Sequence, residues 1–165
     1  LPALIPANVV ALNLNQMTSS AVIRNNVMTP YMRNAMLVRA QNMTIEGNKL
    51  DGSHGGVMGL NFTYSMGESA RMRNVSIAGN TFSGFQSSAI IMANAYRDQQ
   101  GVLEAQDFSI TNNSFQLGSG KAMRVRGVLN FRLSGNRWEK QGKPVEEEAS
   151  FLEIIDCMNV MRDVK

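Results

Sequence analysis

The stretch Ile45-Glu46-Gly47-Asn48-Lys49-Leu50 decides the fold, because its pattern returns along the chain. The pattern is an aliphatic residue, an Asn three positions later, and an apolar residue two positions after that. It occurs five times, starting at Ile23, Ile45, Ile77, Ile110 and Leu133. The repeated residues Asn26, Asn48, Asn80, Asn113 and Asn136 are 22, 32, 33 and 23 positions apart. Self-similarity at such periods is typical of solenoid proteins.

Each copy predicts a strand, a sharp turn and a second strand. The residue before each repeated Asn is Asn25, Gly47, Gly79, Asn112 or Gly135. Asn and Gly tolerate a positive φ angle best, so this pair is predicted to form a left-handed turn. A further apolar strand follows in each copy, at residues 35–38, 57–60, 89–92, 122–125 and 151–155.

These features predict an all-β fold, a right-handed parallel β-helix of five to six coils. Each coil has about 22 residues, and two coils carry about ten more. The repeated Asn residues should form one hydrogen-bonded row along the axis. Two buried columns should run beside this row, one of Ile45, Ile77, Ile110 and Leu133, and one of Leu50, Phe82, Phe115 and Trp138.

Residues 1–165 are predicted to form a single domain. The chain is 44% hydrophobic and 18% charged, which is enough apolar material for one core. A sixth copy begins at Asn159, and neither end shows the polar cap that a solenoid needs. We therefore expect the chain to be a fragment of a longer solenoid, with the rest of a larger polypeptide as its partner.

Composition argues against several other functions. The net charge is only +3 and the Arg residues are scattered, so no nucleic-acid partner is expected. No apolar run approaches the roughly 20 residues that span a bilayer, and the N-terminal residues do not resemble a signal peptide. His54 and Cys157 are each the only residue of their type, so no zinc site and no cofactor are predicted. Cys157 is expected to be a packed side chain.

Two insertions are the predicted functional region. They occupy residues 61–73 and 94–106. Each follows the further apolar strand of its coil, at residues 57–60 and 89–92, and the two coils are adjacent. We expect them to rise side by side and wall a groove, since long loops on a rigid scaffold often carry sites. Their aromatic and charged residues suit a sugar, and the predicted substrate-binding residues are Tyr64, Tyr96, Arg97, Arg39 and Arg126.

Glu68 and Asp98, one from each insertion, are the predicted catalytic pair. Glycoside hydrolysis needs two carboxylates about 5–5.5 Å apart for retention or about 6.5–9.5 Å apart for inversion. Neighbouring coils lie about 4.8 Å apart, so stacked loops could satisfy either geometry. Asp51 and Glu104 are the substitutes. A calcium-dependent lyase is disfavoured, because Arg39, Asn61, Asn94 and Arg126 stand where acidic ligands would be needed.

The sequence resembles a known group of proteins. Ile23-Arg24-Asn25-Asn26, Ile45-Glu46-Gly47-Asn48 and residues 59–68 are similar to the repeat region of bacterial right-handed β-helix carbohydrate-active proteins of the pectate-lyase-like superfamily. The resemblance is in particular to α-1,3-galactosidases that act on blood-group-B-type glycans. It implies a glycoside hydrolase in an extracellular or periplasmic location. Glu68 matches the glutamate of the family's loop, whereas Asn61 or Phe62 replaces its aspartate and Ser65-Met66-Gly67 replaces its aromatic residues.

Three classes of function remain open from the sequence. The first is a glycoside-hydrolase-like module of a secreted bacterial protein, which binds or cleaves a polysaccharide or glycan. The second is a glycan-binding module without catalysis. The third is a structural solenoid, such as a piece of an adhesin or a phage tailspike.

Overall fold

The computed structural model describes residues 20–29, 36–38, 40–52, 58–61, 72–93, 103, 105–145 and 150–163. In these ranges the first nine strands are β1 (Ala21–Arg24), β2 (Val27–Met28), β3 (Met36–Val38), β4 (Met43–Glu46), β5 (Lys49–Asp51), β6 (Met58–Asn61), β7 (Arg73–Ala78), β8 (Thr81–Ser83) and β9 (Ser88–Ala93). The remaining strands are β10 (Ala105–Thr111), β11 (Ser114–Leu117), β12 (Lys121–Arg126), β13 (Val128–Ser134), β14 (Arg137–Lys140), β15 (Lys143–Pro144), β16 (Leu152–Ile155) and β17 (Met158–Arg162).

The strands form three sheets, and the chain contributes strands to sheets A, B and C in turn along the sequence. Sheet A has the order β1-β4-β7-β10-β13-β17, sheet B the order β2-β5-β8-β11-β14-β15, and sheet C the order β3-β6-β9-β12-β16. Neighbouring strands are parallel except β14 and β15, which are antiparallel. The described chain is therefore all-β with mostly parallel strands, and this arrangement is compatible with the predicted parallel β-helix.

The first asparagine row, Asn26, Asn48, Asn80, Asn113 and Asn136, is continuous. The side-chain Nδ2 of each Asn donates to the Oδ1 of the next, at 3.0 Å in all four steps. The backbone N–H of the donating residue bonds the same oxygen at 2.9–3.0 Å. The five residues that precede the row have positive φ angles, between 55° and 63°. Both predictions for this turn are confirmed.

A second polar row lies at the start of the sheet A strands. It consists of Asn42, Asn74, Asp107, Asn130 and Asn159, all with φ between 50° and 58°. Here the donation runs from the later coil to the earlier one. Asn74 donates to Asn42 at 3.0 Å, Asn130 to Asp107 at 2.7 Å, and Asn159 to Asn130 at 3.0 Å. The two rows therefore have opposite hydrogen-bond directions.

Apolar columns fill the space between the sheets. The eight side chains predicted for the two columns are at most 5% exposed, which confirms that prediction. The aromatic column continues as a stack: ring centroids of Phe82 and Phe115 are 4.8 Å apart, and those of Phe115 and Trp138 are 4.7 Å apart. Phe151 extends this stack, 4.9 Å from Trp138. Offset aromatic stacking adds to the stabilisation from burial alone.

The fifth coil is longer than the sequence predicted. β13 pairs with β17 through Leu129 and Met158, a step well above 22 residues. The extra residues include a hairpin between β14 and β15, in which Lys140 pairs with Lys143. Gln141 and Gly142 form its turn with φ angles of 52° and 73°, as two-residue hairpin turns require. The sequence predicted two longer coils, and the fifth coil is a third longer coil that it did not predict.

Candidate functional site

The two insertions leave sheet C side by side. The last residue of β6 is Asn61 and the last residue of β9 is Ala93, and these two residues are partners in the register of the sheet. This confirms that residues 61–73 and 94–106 depart from the same point of adjacent coils. The bodies of both insertions lie outside the described residues.

The insertions also rejoin sheet A side by side. Arg73 begins β7 and pairs in register with Gln106 of β10. The backbone N–H of Gln106 donates to the Met72 carbonyl at 3.0 Å. Its side-chain Nε2 donates to the Leu103 carbonyl at 2.8 Å. Met72, at the end of the first insertion, belongs to the hydrophobic core, and Leu103, near the end of the second, is buried as well.

Most of the predicted site residues lie outside the described residues. These are Glu68 and Asp98 of the catalytic pair, together with Tyr64, Tyr96, Arg97 and Arg39. Glu104, one of the substitute carboxylates, lies outside them too. Their roles stay predictions. Asp51, the other substitute, lies on β5 in sheet B and accepts a hydrogen bond from Ser83 at 2.9 Å. It is therefore in a different sheet from the strand ends where the insertions leave.

Arg126 is the one predicted substrate-binding residue that the structure describes. It ends β12, and the pairing of Val125 with Met92 places it at the level of Ala93, where the second insertion leaves. Its Nε lies 3.4 Å from Asp156 Oδ2, and both side chains are more than half exposed. An exposed ion pair of this kind is weak and leaves the guanidinium able to exchange partners. Its predicted role on the floor of the groove stays a prediction.

The outer surface of sheet C beside Arg126 carries further paired charges. Arg124 Nε lies 3.3 Å from Glu153 Oε2, and Lys121 Nζ lies 3.8 Å from the same oxygen. These basic groups therefore have acidic neighbours on the next strand. Within the described ranges, no three His, Cys, Asp or Glu side chains come together in a way that could hold a metal ion.

Cys157 lies between β16 of sheet C and β17 of sheet A and is half-buried. Burial raises the pKa of its thiol, since the charged form loses contact with water. The Sγ–H group is 3.4 Å from the Ile155 carbonyl and 3.9 Å from that of Val125. A thiol with a raised pKa is a weak nucleophile at neutral pH, in agreement with the packing role expected from the sequence.

Sequence reasoning missed Arg73 and Gln106. It concentrated on the residues inside the insertions, whereas these two stand where the insertions rejoin the sheet. The available signal was the repeat itself: Arg73 directly precedes Asn74 and Gln106 directly precedes Asp107, and both Asn74 and Asp107 belong to the second polar row. That frame position predicts that they are neighbours.

Comparison with known proteins gives a partial match. Over 82 residues the chain is 34% identical to α-1,3-galactosidase A of the bacterium Akkermansia muciniphila. The match covers 49% of this chain and only 13% of the length of that relative. No protein-family model matches the sequence. The described part of the chain contains no helix long and apolar enough to cross a membrane.

Proposed function

We propose that this chain is a right-handed parallel β-helix module of a larger secreted bacterial protein, and that it binds or cleaves a glycan. The groove lies at the corner between sheets C and A, with residues 61–73 and 94–106 as its walls. The observation that supports this most directly is the double register match of the insertions, Asn61 with Ala93 and Arg73 with Gln106. Two loops that leave adjacent strands of sheet C and return to adjacent strands of sheet A are held side by side at both ends. Two parallel walls of a groove need this arrangement.

The partial match supports a carbohydrate as the ligand. The relative's name states that it is an α-1,3-galactosidase, and a solenoid scaffold with loops on one edge suits an extended sugar chain. The match covers only a small fraction of that relative, so the reaction and the sugar are parts of the proposal. In the catalytic version, Glu68 and Asp98 act as the acid and its partner carboxylate on either side of the glycosidic bond.

The decisive experiment measures glycan-array binding and the hydrolysis of aryl α-galactosides. Both are measured for the unmodified chain and for the variants Glu68→Gln and Asp98→Asn. Glu139→Gln is the matched control, because Glu139 lies on β14 in sheet B. Loss of hydrolysis in either insertion variant, with Glu139→Gln unchanged, supports the enzyme. Binding without turnover supports the non-catalytic module. A folded sample of the full parent protein with neither signal would contradict the proposal and leave the structural solenoid.

A further inference from the structure

The outer face of sheet B carries its charges in two rows. Each of the strands β5, β8, β11 and β14 buries one residue in the column that runs from Leu50 to Trp138, so the residues on either side of it point outward. The first outward row consists of Lys49, Thr81, Ser114 and Arg137, and the second consists of Asp51, Ser83, Gln116 and Glu139. Basic residues therefore stand at both ends of the first row, and acidic residues stand at both ends of the second.

The four charged side chains of these rows have no ion-pair partner within the ranges that the structure describes. Lys49, Asp51 and Arg137 are exposed, and Glu139 is partly exposed. Asp51 accepts one hydrogen bond, from the Ser83 hydroxyl at 2.9 Å. On the outer face of sheet C, by contrast, basic groups pair with acidic groups of the next coil. The charges of sheet B are therefore available to a partner.

The two rows are complementary to each other in charge. Lys49 and Asp51 lie on β5, and Arg137 and Glu139 lie on β14. A two-fold axis parallel to the sheet and perpendicular to its strands reverses the strand direction, so the first row of one copy faces the second row of the other. Lys49 then faces Asp51 of the second copy, and Arg137 faces Glu139. An axis along the strands would instead bring like charges together, so the charge pattern fits only the first arrangement.

We propose that the outer face of sheet B binds a second copy of this chain in a symmetric dimer. The symmetry makes every contact twice, so the dimer contains two Lys49–Asp51 and two Arg137–Glu139 ion pairs. The centre of the contact consists of neutral Thr, Ser and Gln side chains, which bury no charge. The face is small and its ion pairs are exposed, so the dimer is weak and dissociates when salt screens the charges. This contact is on a different sheet from the ends of the proposed groove and does not depend on a glycan.

The test is sedimentation velocity over a concentration series, at ionic strengths of about 0.01 M and about 0.15 M. Every sample carries Val160→Lys, so that association through the apolar edge strand β17 does not contribute. We expect dimers at the lower ionic strength and monomers at the higher. Arg137→Glu and Glu139→Arg each place like charges face to face twice, so each should raise the dimer dissociation constant at least about tenfold. The control Arg132→Glu, at an exposed position on the outer face of sheet A, should leave it unchanged.

Combining the two reversals separates the proposed contact from a general effect of charge. An equal mixture of Arg137→Glu and Glu139→Arg should form mixed dimers, because every reversed side chain then faces an opposite charge. The variant that carries both reversals should dimerise like the unmodified face, which would not happen if either change damaged the fold. Absence of dimers at the lower ionic strength would overturn the proposal. A mixture that stays monomeric, association that salt does not weaken, or an equal effect of Arg132→Glu would overturn it too.

Discussion

Asn80 shows at the scale of one residue how a side chain replaces backbone hydrogen bonds at a turn. It is 1% exposed. Its Nδ2 donates to the carbonyl of Ile45 at 2.9 Å and to Asn113 Oδ1 at 3.0 Å. Its Oδ1 accepts from both the backbone and the side chain of Asn48. One amide therefore satisfies groups on the coil before it and connects to the coil after it.

Asn80→Ala should lower the free energy of unfolding by about 1–3 kcal/mol, because the buried backbone N–H of Asn48 loses its acceptor and the Ile45 carbonyl loses the Asn80 amide as a donor. Asn26→Ala is the matched control, since Asn26 is exposed and begins the described row. Its loss should be clearly smaller. Chemical denaturation of both variants measures the difference. Equal effects, or a change below a few tenths of a kcal/mol for Asn80→Ala, would mean that the row does not stabilise the fold.

The sequence pattern predicted the first asparagine row, whereas the second polar row was not predicted. The first row has an invariant Asn and turn residues that are all Asn or Gly, so the pattern identifies both the turn and the contact. The second row includes Asp107, and its hydrogen bonds depend on which atom faces which coil. The direction of these hydrogen bonds depends on the path of the backbone, and the types of residue in the row do not reveal it.

Asp107 interrupts the second polar row, because a carboxylate has no amide hydrogen to donate to Asn74. Asp107→Asn should restore this donor and raise the free energy of unfolding by about 0.5 kcal/mol, a low value because the row is exposed. Asn also tolerates the φ of 58° at this position. The reverse substitution Asn74→Asp should destabilise, since it removes the donor to Asn42 and places two carboxylates opposite each other. Thermal unfolding compares the two, and destabilisation by Asp107→Asn would contradict the expected gain.

At the scale of elements, the turns between sheets B and C stack as closely as the strands do. The turn between β11 and β12 contains Gly118 and Gly120, and it lies against the turn between β8 and β9. A Cβ added at Gly120 would fall 2.6 Å from the Gln86 carbonyl oxygen and 2.7 Å from the Ser87 carbonyl carbon. Both are backbone atoms and cannot move aside without shifting the neighbouring coil.

Gly120→Ala should therefore destabilise the protein by about 1–3 kcal/mol through overpacking against backbone. Gly118→Ala is the control in the same turn, because its Cβ would meet only the Phe85 carbonyl oxygen, at 3.1 Å. We expect it to cost distinctly less. Urea denaturation ranks the pair, and a Gly118→Ala loss as large as that of Gly120→Ala would show that the effect is not the close approach of the two turns.

Most elements could be predicted from the sequence, because the inward residues alternate and each turn has its own residue types. The further apolar strands predicted at residues 89–92 and 122–125 fall within β9 and β12. The β14–β15 hairpin was missed, since Lys140-Gln141-Gly142-Lys143 departs from the repeat and lacks alternating apolar residues. A hairpin that occurs in only one coil does not recur along the sequence, so a search for repeats cannot detect it.

At the scale of the whole molecule, sheet A ends at the edge strand β17. Met158, Val160 and Met161 on this strand are 47%, 36% and 58% exposed. Val160 pairs in register with the fully buried Phe131, so it continues an inward column of sheet A. Among the described strands, β17 pairs only with β13. An edge strand with exposed apolar side chains is a template for another strand. This supports the proposal that a further coil of a longer polypeptide covers it.

The chain alone should therefore self-associate through this edge, and Val160→Lys should reduce the association. An inward-facing lysine is tolerated at the partly exposed edge, but a strand stacked over it would have to bury its charge. Met161→Lys is the control, because Met161 pairs with the exposed Arg132 on the outer face of sheet A. Sedimentation velocity over a concentration series should show the unmodified chain and Met161→Lys associating, while Val160→Lys stays monomeric with an unchanged melting temperature. Association of Val160→Lys at the level of the unmodified chain would mean that the β17 edge is not the contact, and the argument for a covering coil would lose its main support.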